Sequence, residues 1–423
     1  MNATRTSKLF YGYYVTFACF AVMFLLYGMV LNTFGIFLKP IVGDLGWGRE
    51  ALSRAMAVGA IGMAATAPVA GRLIDRLGAK PVMIAGTLMI GFGIVVASRI
   101  SAPWEIYLIY AFIGCGLACA TVIPCSLIIS NWFVARRGMA MGIMAMGTST
   151  GGMLMAPVAN WIILNYGWRT AYVFSGTTIL IAGTPIIVFL LRTHPSEVGL
   201  TPYVNSDVAP ETAENNWGLS IRESFLSRAF WQIAAVMFII GVVTSGLGVH
   251  CVAHFTDLGH SPTRSAFAWS IVMGVMTAGK FSFGPVADRW GAKNAMAGSC
   301  ILISVSIVIL ALARPYTLAV VFAILYGFGV GAPLTIYPLL TGNALGMRNF
   351  GAIYGILTLI SILGAAIGPV VLGVAFDIQK SYLSVFYVFV VLMALTAVIS
   401  ALISAAPQRA GIAYEAQPAD AAK

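Results

Sequence analysis

The chain has 423 residues, 60% of them apolar and only 9% charged, with a mean hydropathy of +0.92 and a net charge of +10. A soluble domain of this length is about a quarter charged, so the composition excludes a water-soluble globular protein. The positive balance does not point to nucleic acid, because the basic residues sit in short loops between apolar runs.

Twelve apolar runs begin near Tyr11, Arg49, Pro81, Trp104, Gly138, Arg169, Ala229, Arg264, Ala295, Tyr316, Asn349 and Tyr382. Each approaches the roughly 20 residues that a helix needs to cross a bilayer. None alternates in polarity, which excludes a closed β-barrel. With the N-terminus placed inside, fifteen of the 24 lysines and arginines fall on the cytoplasmic side. Eight lie outside (Lys39, Arg49, Arg54, Arg99, Arg169, Arg264, Arg314 and Lys380), and Lys280 alone stays within a run. That bias predicts both termini in the cytoplasm. The expected location is a bacterial inner (plasma) membrane.

Residues 1–10 read as a short basic cytoplasmic tail. The first run, about residues 11–37, is too long for a signal-peptide core and is expected to remain as a helix. Its Asn32 and Thr33 are polar groups that, in hydrocarbon, must face protein or a wet cavity. The second run ends in GRLIDRLGAK, residues 71–80. The fourth carries Gly114, Gly116, Cys119 and Pro124; glycines let helices approach closely, and prolines kink them. All six cysteines lie in apolar runs without a CxxC pair and read as small buried fillers.

The fifth run holds Thr148 and Ser149 as polar candidates. A polar, proline-containing stretch at 193–228, with Glu211 and Glu214, reads as a cytoplasmic linker between an N-terminal bundle (11–192) and a C-terminal one (229–405). In the seventh run His250 and His254 are one turn apart; His250 is a candidate for relaying protons, and no third ligand suggests a metal. Tyr326 and Tyr337 in the tenth run, and Tyr354 and Ser361 in the eleventh, are further polar groups among apolar neighbours. Residues 406–423 form a polar, alanine-rich tail expected to be disordered.

An internal repeat unites these parts. GPVADRWGAK, residues 284–293, is a near-copy of GRLIDRLGAK, and every matched pair is 213 residues apart. The same offset relates Gly114 and Gly116 to Gly327 and Gly329, and Gly138, Gly142 and Gly151 to Gly351, Gly355 and Gly364. Half-repeats of this size predict an all-α membrane protein of twelve helices in two pseudo-symmetric six-helix bundles, with a site between them. Lys280 breaks the symmetry, since its counterpart 213 residues earlier is Ala67. Eight residues from Asp288 at ~1.5 Å each put Lys280 about 12 Å deeper, near the bilayer midplane. A lysine there costs roughly 2.5–3.5 kcal/mol. No acidic residue lies at comparable depth in any run, since Glu105 and Asp257 are near the outer ends. A lone buried cation predicts a site for a small anion.

The two charged turns resemble the signature between helices 2 and 3 of the major facilitator superfamily, and its weaker copy between helices 8 and 9. The resemblance covers roughly residues 10–405 and implies twelve helices and transport by alternating access. It implies a conformational latch in which Asp75 bonds a helix end, Gly71 allows close packing and Arg76 supplies the associated charge, with Gly284, Asp288 and Arg289 as the second copy.

TFGIFLKPI, NWFVARRGMAMGI, GWRTAY and FLSRAFWQI further resemble the monocarboxylate transporter and oxalate–formate antiporter branch. That likeness implies carriage of a small organic anion, a monocarboxylate such as lactate or pyruvate or a small dicarboxylate, by proton symport or by exchange. Lys280 stands where the branch usually has an arginine that meets the substrate carboxylate; a lysine keeps the charge as a compact point donor. Met276 stands where animal members have an aspartate, and Asn32 aligns with their helix 1 lysine.

The expected site is therefore Lys280 with Asn32, Thr33, Thr148, Ser149, Tyr326, Tyr337, Tyr354, Ser361 and Cys119, and with Lys280 and His250 as proton-coupling groups. The expected partners are the anion, a proton and the lipid bilayer, with no cofactor and with the monomer as functional unit. A proton-driven exporter of amphipathic compounds is expected to carry membrane-embedded carboxylates, which the first run lacks. A signalling receptor would need a larger soluble module, and an enzyme a nucleophile–base pair, metal cluster or phosphate loop.

Overall fold

A computed structural model describes residues 10–204 and 218–404. The expected terminal tails and the centre of the linker, including Pro210, Glu211 and Glu214, lie outside the described residues. The chain is an all-helical integral membrane protein of two six-helix bundles. The first contains α1 (Tyr11–Leu26), α2 (Phe34–Leu45), α3 (Arg49–Leu77), α4 (Ala79–Ala97), α5 (Pro103–Ala120), α6 (Val122–Trp132) and α7 (Arg137–Thr178). After the short α8 (Ile221–Leu226), the second contains α9 (Arg228–Asp257), α10 (Pro262–Trp290), α11 (Ala292–Ala311), α12 (Tyr316–Leu345), α13 (Phe350–Gln379) and α14 (Leu383–Ala401).

Helices and crossings do not map one to one. The first crossing is α1 and α2 joined by a wide turn at Tyr27–Leu31, and the fourth is α5 with α6. The fifth and sixth share Arg137–Leu190, a stretch of 54 residues interrupted at Gly167, where φ is 84°. That left-handed value suits a residue without a Cβ. α10 is the eighth crossing.

The prolines act differently in the two halves. Before Pro124 the helix breaks at Thr121 (φ −108°, ψ −116°), where the ring meets the preceding turn. α12 stays continuous through Pro333 and Pro338. Pro333 frees the carbonyl of Gly329, and the Ser299 hydroxyl donates to it at 2.9 Å, satisfying the lost bond.

Packing follows the repeat. α3 lies on α5 and α13, and α10 lies on α12 and α7, so each bundle crosses its partner through equivalent helices. Large apolar side chains such as Phe17, Ile61, Leu164, Phe189 and Val391 stay exposed, as the lipid-facing surface of a spanning protein requires. Exposed Trp231 and Trp290 lie toward the charged-turn face, and Trp104, Trp161 and Tyr166 toward the opposite one, forming two aromatic girdles.

The described ends of the linker pack on the two bundles. Tyr203 packs against Phe10, Tyr13 and Phe133, and its N–H donates to the Trp132 carbonyl at 2.9 Å. On the other side, the Leu219 N–H donates to the Leu345 carbonyl at 3.0 Å. The unpaired cysteines are buried except Cys115, which is half-buried.

Candidate functional site

A cavity of about 730 Å³ separates the bundles and takes its walls from both. Its α10 wall runs from Lys280 through Thr277, Met276 and Met273 to Trp269, away from Asp288. The cavity therefore extends toward the face opposite the charged turns.

Lys280 is 6% exposed. Its Nζ donates to the Thr148 hydroxyl at 2.7 Å and to the Ser149 hydroxyl at 2.5 Å, both on α7. The ammonium thus bridges the two halves. Gly142, two helical turns before Ser149, lets α7 approach so closely because a Cβ there would meet the Lys280 carbonyl at 2.8 Å. Thr335 fixes the lysine's backbone by donating to that carbonyl at 3.0 Å. No carboxylate lines the cavity among the described residues, and Lys280 is its single charged group.

The two hydroxyls are not equivalent. Thr148 spends its hydrogen on the Ala145 carbonyl at 2.8 Å, so it can only accept from Lys280. Ser149 accepts from Lys280 and can turn its own hydrogen toward the cavity. An ammonium has three donors, two of which are used here, leaving one for a guest.

Asn32, just after the wide turn of the first crossing, donates to the Thr148 carbonyl at 2.7 Å and lines the cavity. Tyr337 and Ser361 line it as well. The remaining candidates do not. Thr33 is 1% exposed, and its hydroxyl has no hydrogen-bond partner among the described residues. Tyr326 is turned toward α9, donating to the Thr244 carbonyl at 3.3 Å, and Tyr354 stacks on Phe350. Cys119 is buried on α5, away from the cavity walls. His250 bonds the Tyr382 hydroxyl at 3.3 Å and the Pro369 carbonyl at 3.0 Å, also outside the cavity lining.

At the charged-turn end the repeat closes on itself. Asp75 accepts from the Gly351 and Ala352 N–H groups, both at 2.9 Å, at the start of α13. Asp288 accepts from Gly138 N–H at 2.6 Å and Met139 N–H at 2.9 Å, at the start of α7. The first N–H groups of a helix have no partner within it and carry the positive end of its dipole, so a carboxylate suits both. Gly71 packs on Gly351, and Gly284 on Gly138; a Cβ at any of the four would strike the opposing carbonyl. Arg76 and Arg289 are exposed and take no part in these bonds.

Sequence reasoning missed Tyr27, Thr244, Trp269, Met273 and Thr277, which also line the cavity. For α10 the signal was available. Positions 277, 276, 273 and 269 precede Lys280 by 3, 4, 7 and 11 residues, the spacing of one helix face.

A family model described as Major Facilitator Superfamily matches residues 20–369 and 253–420. The chain is similar to monocarboxylate transporter 13 of Rattus norvegicus, 27% identical over 394 residues, covering 89% of this chain and 85% of that protein. It is 24% identical over 401 residues to monocarboxylate transporter 4 of Gallus gallus, covering 93% and 82%. Its fold is similar to that of FucP, a major facilitator transporter crystallised in the outward conformation, with a TM-score of 0.71 at 15% identity, covering 93% of this chain and all of that one.

Proposed function

The chain belongs to the Major Facilitator Superfamily, and from that premise we propose that it carries a small organic anion across the membrane by alternating access, with Lys280 as the anion's partner. The observation that carries this reading is the buried ammonium, held among the described residues by two neutral hydroxyls, at the cavity wall where the bundles meet. An arriving carboxylate can take the third donor of Lys280 and the hydrogen of Ser149, which tightens the link between α10 and α7. The names of the sequence relatives favour a monocarboxylate.

The positive-inside bias supports a cytoplasmic charged-turn face, with both termini there and the linker 193–228 joining bundles 11–192 and 229–405. The cavity then opens outward, in a plasma membrane. Asp75 and Asp288 act as paired latches, and inward opening requires their four hydrogen bonds to break. One chain supplies both walls of the site, which supports a functional monomer.

A buried ammonium without a counter-ion is costly, and a bound carboxylate offsets that cost. Proton and anion therefore load together, giving symport through Lys280; His250, outside the cavity walls, is not required. Obligatory exchange is the alternative, in which Lys280 keeps its proton throughout. The test is uptake of labelled lactate and pyruvate into proteoliposomes. Lys280→Gln is expected to lower uptake by at least a hundredfold, and unchanged uptake rejects the reading. A proton flux accompanying the anion separates symport from exchange.

A further inference from the structure

We propose that the site is built for a monocarboxylate with a bulky apolar body, an aromatic ring or a medium-length alkyl chain, rather than for a three-carbon acid or a dicarboxylate. This rests on the anion reading of Lys280 and asks what the rest of the cavity recognises.

A three-carbon acid occupies about the volume of four waters, at ~30 Å³ each. The cavity holds about 730 Å³, in the range of pockets that enclose much larger ligands. Size alone does not decide, since water fills an open cavity. The chemistry of the walls does.

Beyond Lys280 the α10 wall is mainly apolar over ~16 Å, eleven residues at ~1.5 Å each, with Thr277 and Ser270 as its polar members. Met276, Met273 and Trp269 supply most of that wall, and Met153, Ile240 and Leu334 face the same space. A short acid bonded to Lys280 leaves these side chains wet. A longer apolar body dries them, which is the favourable term in binding such molecules. The Trp269 indole, half-buried and packed at 6.3 Å on Tyr326, is a fixed plate for a ring at the outer end. The three methionines adapt their shape, so the wall suits a class of apolar bodies.

A second carboxylate on the guest would find hydroxyls but no second cation among the described lining residues. Lys280 is the single charged residue lining the cavity among those described, and a buried unpaired carboxylate is heavily penalised. A cationic guest meets the same lone positive charge and no acidic group.

Binding of 3-phenylpropanoate, lactate and succinate to the purified full chain, with uptake in proteoliposomes, tests the proposal. The half-saturating concentration of 3-phenylpropanoate is expected to be at least tenfold below that of lactate, with succinate no better than lactate. In Trp269→Ala the ratio between the two monocarboxylates is expected to collapse toward one; because both are measured on one preparation, the ratio does not depend on how much of the variant folds. Equal affinities in the natural protein, tighter succinate, or a tenfold margin that survives Trp269→Ala overturns the proposal while leaving the anion reading intact. No Lys280-dependent binding of any of the three acids overturns that reading, and this proposal with it.

Discussion

The two halves of this protein agree at one end and differ in the middle. At the charged turns the repeat is reciprocal: Asp75 caps α13 and Asp288 caps α7, through residues 213 positions apart in every case. In the cavity, one half offers Lys280 where the other has Ala67. Ala67 is fully buried, and its carbonyl lies where a Cβ on Gly355 would be. Symmetry belongs to the machinery that must open and close equally from both sides. The break in symmetry belongs to the cargo, which needs only one charge.

The sharpest way to break this contrast is to move the charge. Ala67→Lys with Lys280→Ala places an ammonium in a packed helix contact where, at the same offset, Ser361 matches Thr148 but Ile362 replaces Ser149, so half of the hydroxyl pair is missing. The expected cost is about 3 kcal/mol or more, from the unpaired charge and overpacking together. Thermal melting in detergent reads that loss, and transport is not restored. A stable, active double variant contradicts the claim that the two positions differ in kind.

The latch comparison yields a smaller effect. Asp75→Ala or Asp288→Ala removes a cap from two helix N–H groups, worth about 1–2 kcal/mol. Each shifts the balance toward the form open at the charged-turn face by roughly five- to thirtyfold. Paired spin labels across that face measure the shift. Equal shifts sharpen the symmetric account, and a large effect from one aspartate alone breaks it.

No larger is the difference between neighbouring hydroxyls. Ser149→Ala removes a hydroxyl–carboxylate hydrogen bond to the guest, worth about 1.5 kcal/mol, and weakens anion binding roughly tenfold. Tighter binding in this variant shows instead that Ser149 competes with the anion for Lys280.

The crossings, the repeat and the isolation of Lys280 were legible because each rests on composition or spacing, which the bilayer constrains strongly. Which level of an apolar helix face meets the cavity is less constrained, because spacing fixes the face and not the depth. Tyr337 faces the cavity, whereas Tyr326, three turns away on the same α12, bonds a backbone carbonyl of α9. Tyr354 and Ser361, both on α13, divide in the same way. Thr33 and Asn32 are adjacent, and the wide turn before them sends only Asn32 to the cavity. Lys280 itself supplied the register for α10, so Met273 and Trp269 could have been read from it.

Isothermal titration of 3-phenylpropanoate and lactate into the natural protein and into Lys280→Met is the most direct measurement of the central claim. The account predicts saturable binding to the natural protein and a loss of at least a hundredfold in the variant, with the melting temperature preserved or raised. Equal affinity in both proteins contradicts it, because the anion would then be held by something other than the lysine between the bundles.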